Sequence, residues 1–181
     1  MATSRDEARA RGEVVIGRTA DEAALARFAA SASADGSRLV VGALITDGAG
    51  RIYVQRRSLT RAVFPGCWDL VGGHQEPGET ITQALAREVN EETGWELTSL
   101  GPVVEVLDWE AGGIRRREVD FLVTVAGNLA APRLEASKHV EGRWLSATEL
   151  NVLLEGRRSD DRWVHEVVAR GFELLSTWSP T

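Results

Sequence analysis

Three glutamates within two helical turns, Glu88, Glu91 and Glu92, are the side chains here best suited to chemistry. The segment Thr80 to Thr93 has helical periodicity. Stepping about 100° per residue from Ile81 gathers Ile81, Ala84, Leu85 and Val89 into one apolar stripe. Glu88 and Glu92 fall inside that stripe and Glu91 lies at its edge. A solvated acidic face would put its carboxylates opposite the apolar residues. Burying an ionised carboxylate is costly unless a cation or strong donors compensate it, and three close together also repel one another. A divalent, oxygen-loving cation such as Mg²⁺ answers both problems and keeps positions open for water and phosphate. The plainer alternative is an amphipathic helix whose glutamates pair with Arg87, for instance with Glu91 at i, i+4.

The flanks favour the metal. Gly72-Gly73 precedes the helix in what reads as a glycine-rich turn, where backbone approaches an ion or phosphate closely, and Pro77-Gly78 turns the chain into the helix. The segment from Gly73 to Trp95 reads GHQEPGETITQALAREVNEETGW. It resembles the signature of the Nudix hydrolases, G-x5-E-x7-R-E-U-x-E-E-x-G-U, where U is a bulky apolar residue. Gly73, Glu79, Arg87, Glu88, Glu91, Glu92 and Gly94 match its fixed positions, and Val89 and Trp95 its apolar ones. The wider resemblance runs from about Arg38 to Glu155, including Phe64-Pro-Gly66 and Trp144, and leaves out both ends.

The resemblance implies an α/β fold: an α/β/α sandwich with a mixed β-sheet and the signature as loop–helix–loop. It implies a hydrolase cutting a phosphoanhydride bond of a nucleoside triphosphate or a nucleoside diphosphate-linked small molecule. Glu88, Glu91 and Glu92 would hold Mg²⁺ or Mn²⁺, with the Gly72 carbonyl as a further ligand. Glu79 and Arg87 would support the catalytic Glu91 and Glu92, Arg87 orienting a neighbouring carboxylate. Such chemistry needs charge neutralised on phosphate oxygens and a water acidified for in-line attack. The general base would be a signature glutamate or one on a later loop, where Glu135 and Glu141 stand. The proline about sixteen residues beyond the signature, typical of the ADP-ribose subgroup, is missing, as is the coenzyme A subgroup's upstream pattern.

Two rivals share the fold. Phe64-Pro-Gly-Cys-Trp68 and Gly73-His74 also look like isopentenyl-diphosphate isomerase, but that enzyme needs a cysteine before its Gly-His pair, and here the position is Gly72. A non-catalytic nucleotide-sensing Nudix module is the other, yet such modules usually lose signature glutamates.

Other residues carry weaker signals. Arg57 and Glu141 are candidate substrate contacts, and Trp109 a candidate stacking surface. Arg115-Arg116-Arg117 reads as a charged turn that could otherwise meet a polyphosphate. His139 reads as an exposed loop histidine, Trp68 as core, and Cys67 as a small buried hydrophobe rather than a nucleophile.

Several elements must position these groups. Leu39 to Ile45 reads as a buried strand, and Arg51 to Arg57 as a half-buried one. Asp47-Gly-Ala-Gly50 joins them into an expected hairpin. A short extended piece, Trp68 to Val71, is closed by Gly72-Gly73. Leu100–Trp109 and Arg117–Ala126 read as strands around a turn at 110–114, and Val140–Leu145 as another. Ser146-Ala-Thr-Glu149 opens a helix to about Glu155, and the last helix covers 159–176. At the front, residues 1–37 read as an extension. Its helix spans about Asp21 to Ala30 and a small, polar linker spans 31–37. The expected division is therefore 1–37 extension, 38–156 catalytic domain, and 157–181 a C-terminal helix packed on it.

Composition bounds the partners. The chain has 181 residues, which allows one domain with modest extensions, and its single cysteine, Cys67, excludes an internal disulfide. A net charge of −6 offers no basic field for a nucleic acid polymer, so the expected partner is a phosphorylated, nucleotide-like small molecule. No membrane partner is expected, the default location is the cytoplasm, and a homodimer is left open.

Overall fold

The computed structural model describes residues 21–178; residues 1–20 of the expected extension and 179–181 of the expected C-terminal segment lie outside them. Its elements run α1 (Glu22–Ala34), β1 (Arg38–Ile45), β2 (Ile52–Arg57), β3 (Trp68–Asp69), β4 (Val71–His74), α2 (Ile81–Thr93), β5 (Glu96–Ala111), β6 (Ile114–Ala126), β7 (His139–Leu145), a 3-10 helix (Ala147–Leu154) and α3 (Trp163–Leu175).

Four strands form a mixed sheet in the order β4-β1-β6-β5, with β1 and β6 parallel and the other pairs antiparallel. A second, antiparallel sheet has the order β3-β2-β7. Side chains alternate between sheet faces along a strand. On β1, Leu39, Val41, Ala43 and Ile45 pack with α1 and α2, while Leu44 packs with α3. Helices therefore cover both faces of the mixed sheet, which is the expected α/β/α sandwich. Strand β2 joins the two cores, since Tyr53 packs on the α2 side and Ile52 and Val54 on the α3 side.

Three local expectations are corrected. Strands β1 and β2 do not form a hairpin. Strand β1 already has β4 on one edge and β6 on the other, so no edge is left. The chain makes one bridge, Thr46 to Ile52, and crosses to the second sheet. The supposed linker at 31–37 is helical to Ala34 because Leu25, Phe28 and Ala32, at i, i+3 and i+7, bury one stripe in the core. Gly72 and Gly73 do not close a strand: they are its middle, opposite Gly42 and Val41. The helix expected after Ser146 is present as a 3-10 helix; smaller differences are a tighter turn between β5 and β6 and a last helix starting at Trp163.

Helix α2 is capped as its sequence demands. Thr80 Oγ1 accepts from Gln83 N at 3.2 Å, and Gln83 Oε1 accepts from Thr80 N at 2.8 Å. Gly94 ends it in the left-handed region at φ 73°. Trp95 follows, 1% exposed, its ring 4.9 Å from Tyr53 on β2 and 5.6 Å from Trp144 on β7. This three-ring joint fixes the end of α2 against the second sheet.

Because α1 is core rather than appendage, Phe28→Ala should destabilise the protein by about 3–5 kcal/mol. Urea unfolding of the variant checks this; a loss near zero would mean α1 is dispensable.

Candidate active site

The inward glutamates of α2 meet the edge strand β4. Glu88 is 5% and Glu92 2% exposed, whereas the Glu91 side chain is 47% exposed, as the helical stripe requires. Gly73 makes room for Glu88: a Cβ there would lie 2.3 Å from Glu88 Oε1. Gly72 makes room for β1 itself, since its Cβ would lie 2.2 Å from the Val41 carbonyl oxygen. The two glycines are thus required by close approach within a strand, not by a turn.

Arg87 gathers the surrounding acids. It pairs with Glu79 through Nε and Nη2 at 2.8 and 3.0 Å, and with Glu88 and Glu91 through Nη1 at 2.8 and 3.4 Å. Its Nη2 also donates to the His74 carbonyl at 2.9 Å, tying helix to strand. Hydrogen bonds from Arg87 hold the Glu79 carboxyl below its usual range. Burial pushes Glu88 up despite Arg87.

Glu92 has no arginine. Its Oε2 accepts from Gly72 N at 3.2 Å and from the Gln55 side-chain amide. Lys138 Nζ and His139 Nδ1 stand 3.9 and 3.8 Å from its Oε1. Burial, with the Glu88 charge adding to it, pushes its carboxyl up to about 8 against hydrogen bonds that act the other way.

Arg87, the three glutamates of α2, Gly72, Gly73 and Lys138 line one cleft of about 760 Å³, which runs from Glu88, Glu91 and Glu92 across β4 and β1 to Trp109, Arg116 and Glu118. Arg57 lines it too, but its Nη1 bonds Asp69 at 3.1 Å and its Nε the Val63 carbonyl at 3.0 Å. It thereby anchors the 58–67 loop. In that loop Phe64 sits at φ 49°, an uncommon conformation for a bulky residue, with its ring 6.1 Å from Trp109. Glu141 does not join the cleft lining: it is exposed and 3.9 Å from Arg56. Glu135 bonds Lys138 at 2.9 Å and so reaches Glu92 through that lysine.

His139 corrects its expectation. It is 3% exposed, and burial pushes its imidazole down to about 3, so it is neutral beside Glu92. The strand begins one residue earlier than its apolar pattern indicates, and that residue turns inward. Gln55 and Lys138 carried no signal in the sequence, because only the packing of β2 and of the 135–138 loop brings them to Glu92. The three-arginine run also separates. Arg115 donates to the Asp35 carbonyl, Arg117 grips Asp108 through two bonds of 2.7 Å, and only Arg116 enters the cleft. Trp68 is core, and burial pushes the Cys67 thiol up.

Among the described residues, no three carboxylate, His or Cys side chains converge on a common point. Arg87 draws Glu88 and Glu91 aside while Glu92 turns to Gln55 and Gly72. The donor set nevertheless suits a hard divalent cation: carboxylate oxygens on one helix, one of them buried and short of positive partners.

A family model described as NUDIX domain matches residues 36–167. An uncharacterised Nudix hydrolase of Rhodococcus erythropolis is 35% identical over 148 residues, 76% of each chain. An isopentenyl-diphosphate Delta-isomerase of Mycolicibacterium vanbaalenii is 32% identical over 112 residues, 59% of this chain and 62% of that one. Among solved structures, a MutT NUDIX hydrolase from Burkholderia pseudomallei aligns with a TM-score of 0.59 at 29% identity. The alignment covers 73% of this chain and 98% of that one.

Gly73→Ala isolates the glutamate cradle. The added methyl meets the far end of a flexible side chain, so the variant should fold while Glu88 is displaced. Turnover on any phosphoanhydride substrate should drop at least about tenfold if Glu88 acts at the reacting phosphate. Circular dichroism and a phosphate-release assay check both halves.

Proposed function

The chain belongs to the Nudix family, and from that premise we propose that it is a divalent-metal-dependent pyrophosphohydrolase. It cleaves a nucleoside triphosphate or a nucleoside diphosphate-linked small molecule by water attack on phosphorus. The observation that carries this reading is the pair of buried carboxylates, Glu88 and Glu92, facing a cleft with the full family signature around them. Glu88, Glu91 and Glu92, with the Gly72 carbonyl, would hold Mg²⁺ or Mn²⁺. A cation bound there supplies charge for the phosphate oxygens and acidifies a water.

The chain's own residues do the rest. Arg87 fixes Glu79, Glu88 and Glu91 in one array. Gln55 and the Gly72 amide orient Glu92, while Lys138 places positive charge beside it. Glu135 reaches Glu92 through Lys138, whereas Glu141 faces Arg56; this supports Glu135, or a signature glutamate, as the base in preference to Glu141, although neither Glu135 nor Glu141 lines the cleft itself. Arg57 shapes the mouth of the cleft through its loop contacts.

Isopentenyl-diphosphate isomerases are among the relatives, which makes isomerisation the rival reading. Two features speak against it. Gly72 stands where that chemistry needs a thiol, and a side chain there would strike the β1 backbone. Cys67 is 4% exposed with its thiol toward the Gly156 carbonyl at 3.4 Å, away from the glutamates.

Phosphate release from a nucleotide panel should be abolished by excess EDTA and restored by Mg²⁺ or Mn²⁺; full turnover in EDTA would refute the reading. Cys67→Ala should keep most activity, since a buried, protonated thiol without a neighbouring base is no nucleophile. A folded but inactive Cys67→Ala protein would reopen the isomerase reading.

A further inference from the structure

The end of the cleft away from the glutamates holds an arrangement that the hydrolytic chemistry does not use. Arg38 opens β1 and Arg116 lies on β6, and the two are directly opposite in the parallel register. Like charges directly opposite each other on paired strands repel. Neither has a carboxylate within ion-pair distance among the described residues. The Arg38 side chain has no hydrogen bond to them either, in a chain whose net charge is −6.

Arg116 is held in a fixed pose. Its guanidinium lies over the Trp109 ring at 4.6 Å. Nη1 donates to the Ala111 and Ile114 carbonyls at 3.0 and 2.9 Å, and Nε to His74 Nε2 at 3.3 Å. Nη2 is left without an acceptor among the described residues. Glu118, two residues along the same face, does not serve as counter-ion. Its Oε2 is taken by the Trp109 indole at 2.6 Å, and burial together with Asp69 pushes its carboxyl up, toward the neutral form.

This end is separate from the glutamates. Arg38, Val40 and Gly42 share one face of β1, and Gly42 pairs with Gly72, where Glu92 docks. Four residues of strand place the Arg38 backbone about 13 Å from that level. Both ends line the same cleft. An immobilised guanidinium with one free donor nitrogen, beside a second unpaired arginine, suits an oxyanion.

We propose that Arg38 and Arg116 form a second anion subsite, which takes a phosphoryl group carried by the substrate on the moiety beyond the scissile diphosphate. The inference rests on the cleft being the substrate site and narrows the substrate class to diphosphate-linked compounds with a further phosphate. Trp109 and His74 are positioning residues that hold Arg116.

The test is titration calorimetry of inorganic phosphate into the full chain in excess EDTA, so that binding is read without metal and without turnover. Wild type should bind phosphate saturably. Arg38→Gln and Arg116→Gln should each weaken it at least about tenfold, the scale of one lost charge-assisted contact. Arg38 is exposed, so its variant retains the fold even if Arg116→Gln does not. Acetate, the carboxylate control, should bind more weakly than phosphate. No saturable binding by wild type, or equal binding by folded Arg38→Gln protein, would overturn the subsite; acetate binding as tightly as phosphate would overturn the phosphoryl assignment. Magnesium-dependent turnover with no phosphate binding in EDTA would sink this inference and leave the hydrolase reading standing.

Discussion

The arrangement depends on one electrostatic constraint: a carboxylate, Glu92, is 2% exposed at a helix–strand contact with no arginine beside it. Glu88, one turn earlier, is nearly as buried and adds a second charge of the same sign. Helix α2 cannot rotate them into solvent without exposing Ile81, Leu85 and Val89, which are at most 1% exposed. The apolar stripe therefore holds the acids in place, and the neighbouring groups are arranged around that fact.

Two responses to the constraint are visible. Backbone is cleared by Gly72 and Gly73, so β4 lies against the glutamates without a Cβ between them. Arg87 then distributes one positive charge among Glu79, Glu88 and Glu91 while fastening to the His74 carbonyl. Glu92 receives only neutral donors and a lysine at 3.9 Å. Buried, imperfectly compensated charge is weak as a stabiliser but well suited to a divalent cation. The rigid frame for this comes from the capped helix and the Tyr53–Trp95–Trp144 joint, whose rings couple α2 to the second sheet.

Legibility in the sequence followed the range of the interactions. Helix α2 was readable because its stripe, its Gly94 terminus and its glutamates are all local, and the motif added Glu79 and Arg87 eight residues apart. The sandwich followed from the family resemblance. Pairing was not readable: Asp47-Gly-Ala-Gly50 is good turn chemistry, yet β1 is saturated by β4 and by β6, the latter over seventy residues away. Small, polar residues at 31–37 looked like a linker because Ser31 and Ser33 hide the stripe that Phe28 and Ala32 bury. Gln55, Lys138 and the inward turn of His139 depend on tertiary packing and have no local pattern. Arg116 differs from Arg115 and Arg117 only by the alternation of a strand, which becomes informative once the face of β6 is known.

The most direct test compares metal-free melting temperatures and turnover of wild type and Glu92→Gln across pH. A carboxyl raised to about 8 in the fold, against 4.5 when free, binds its proton more tightly folded than unfolded. Its effect on metal-free stability therefore becomes less favourable as pH rises through that window. Wild-type stability without metal should fall between those values, and Glu92→Gln should flatten that fall while cutting metal-dependent turnover at least about a hundredfold. A Glu92→Gln protein that melts lower than wild type at pH 8 and keeps near-normal turnover would contradict the account and make Glu92 a structural partner.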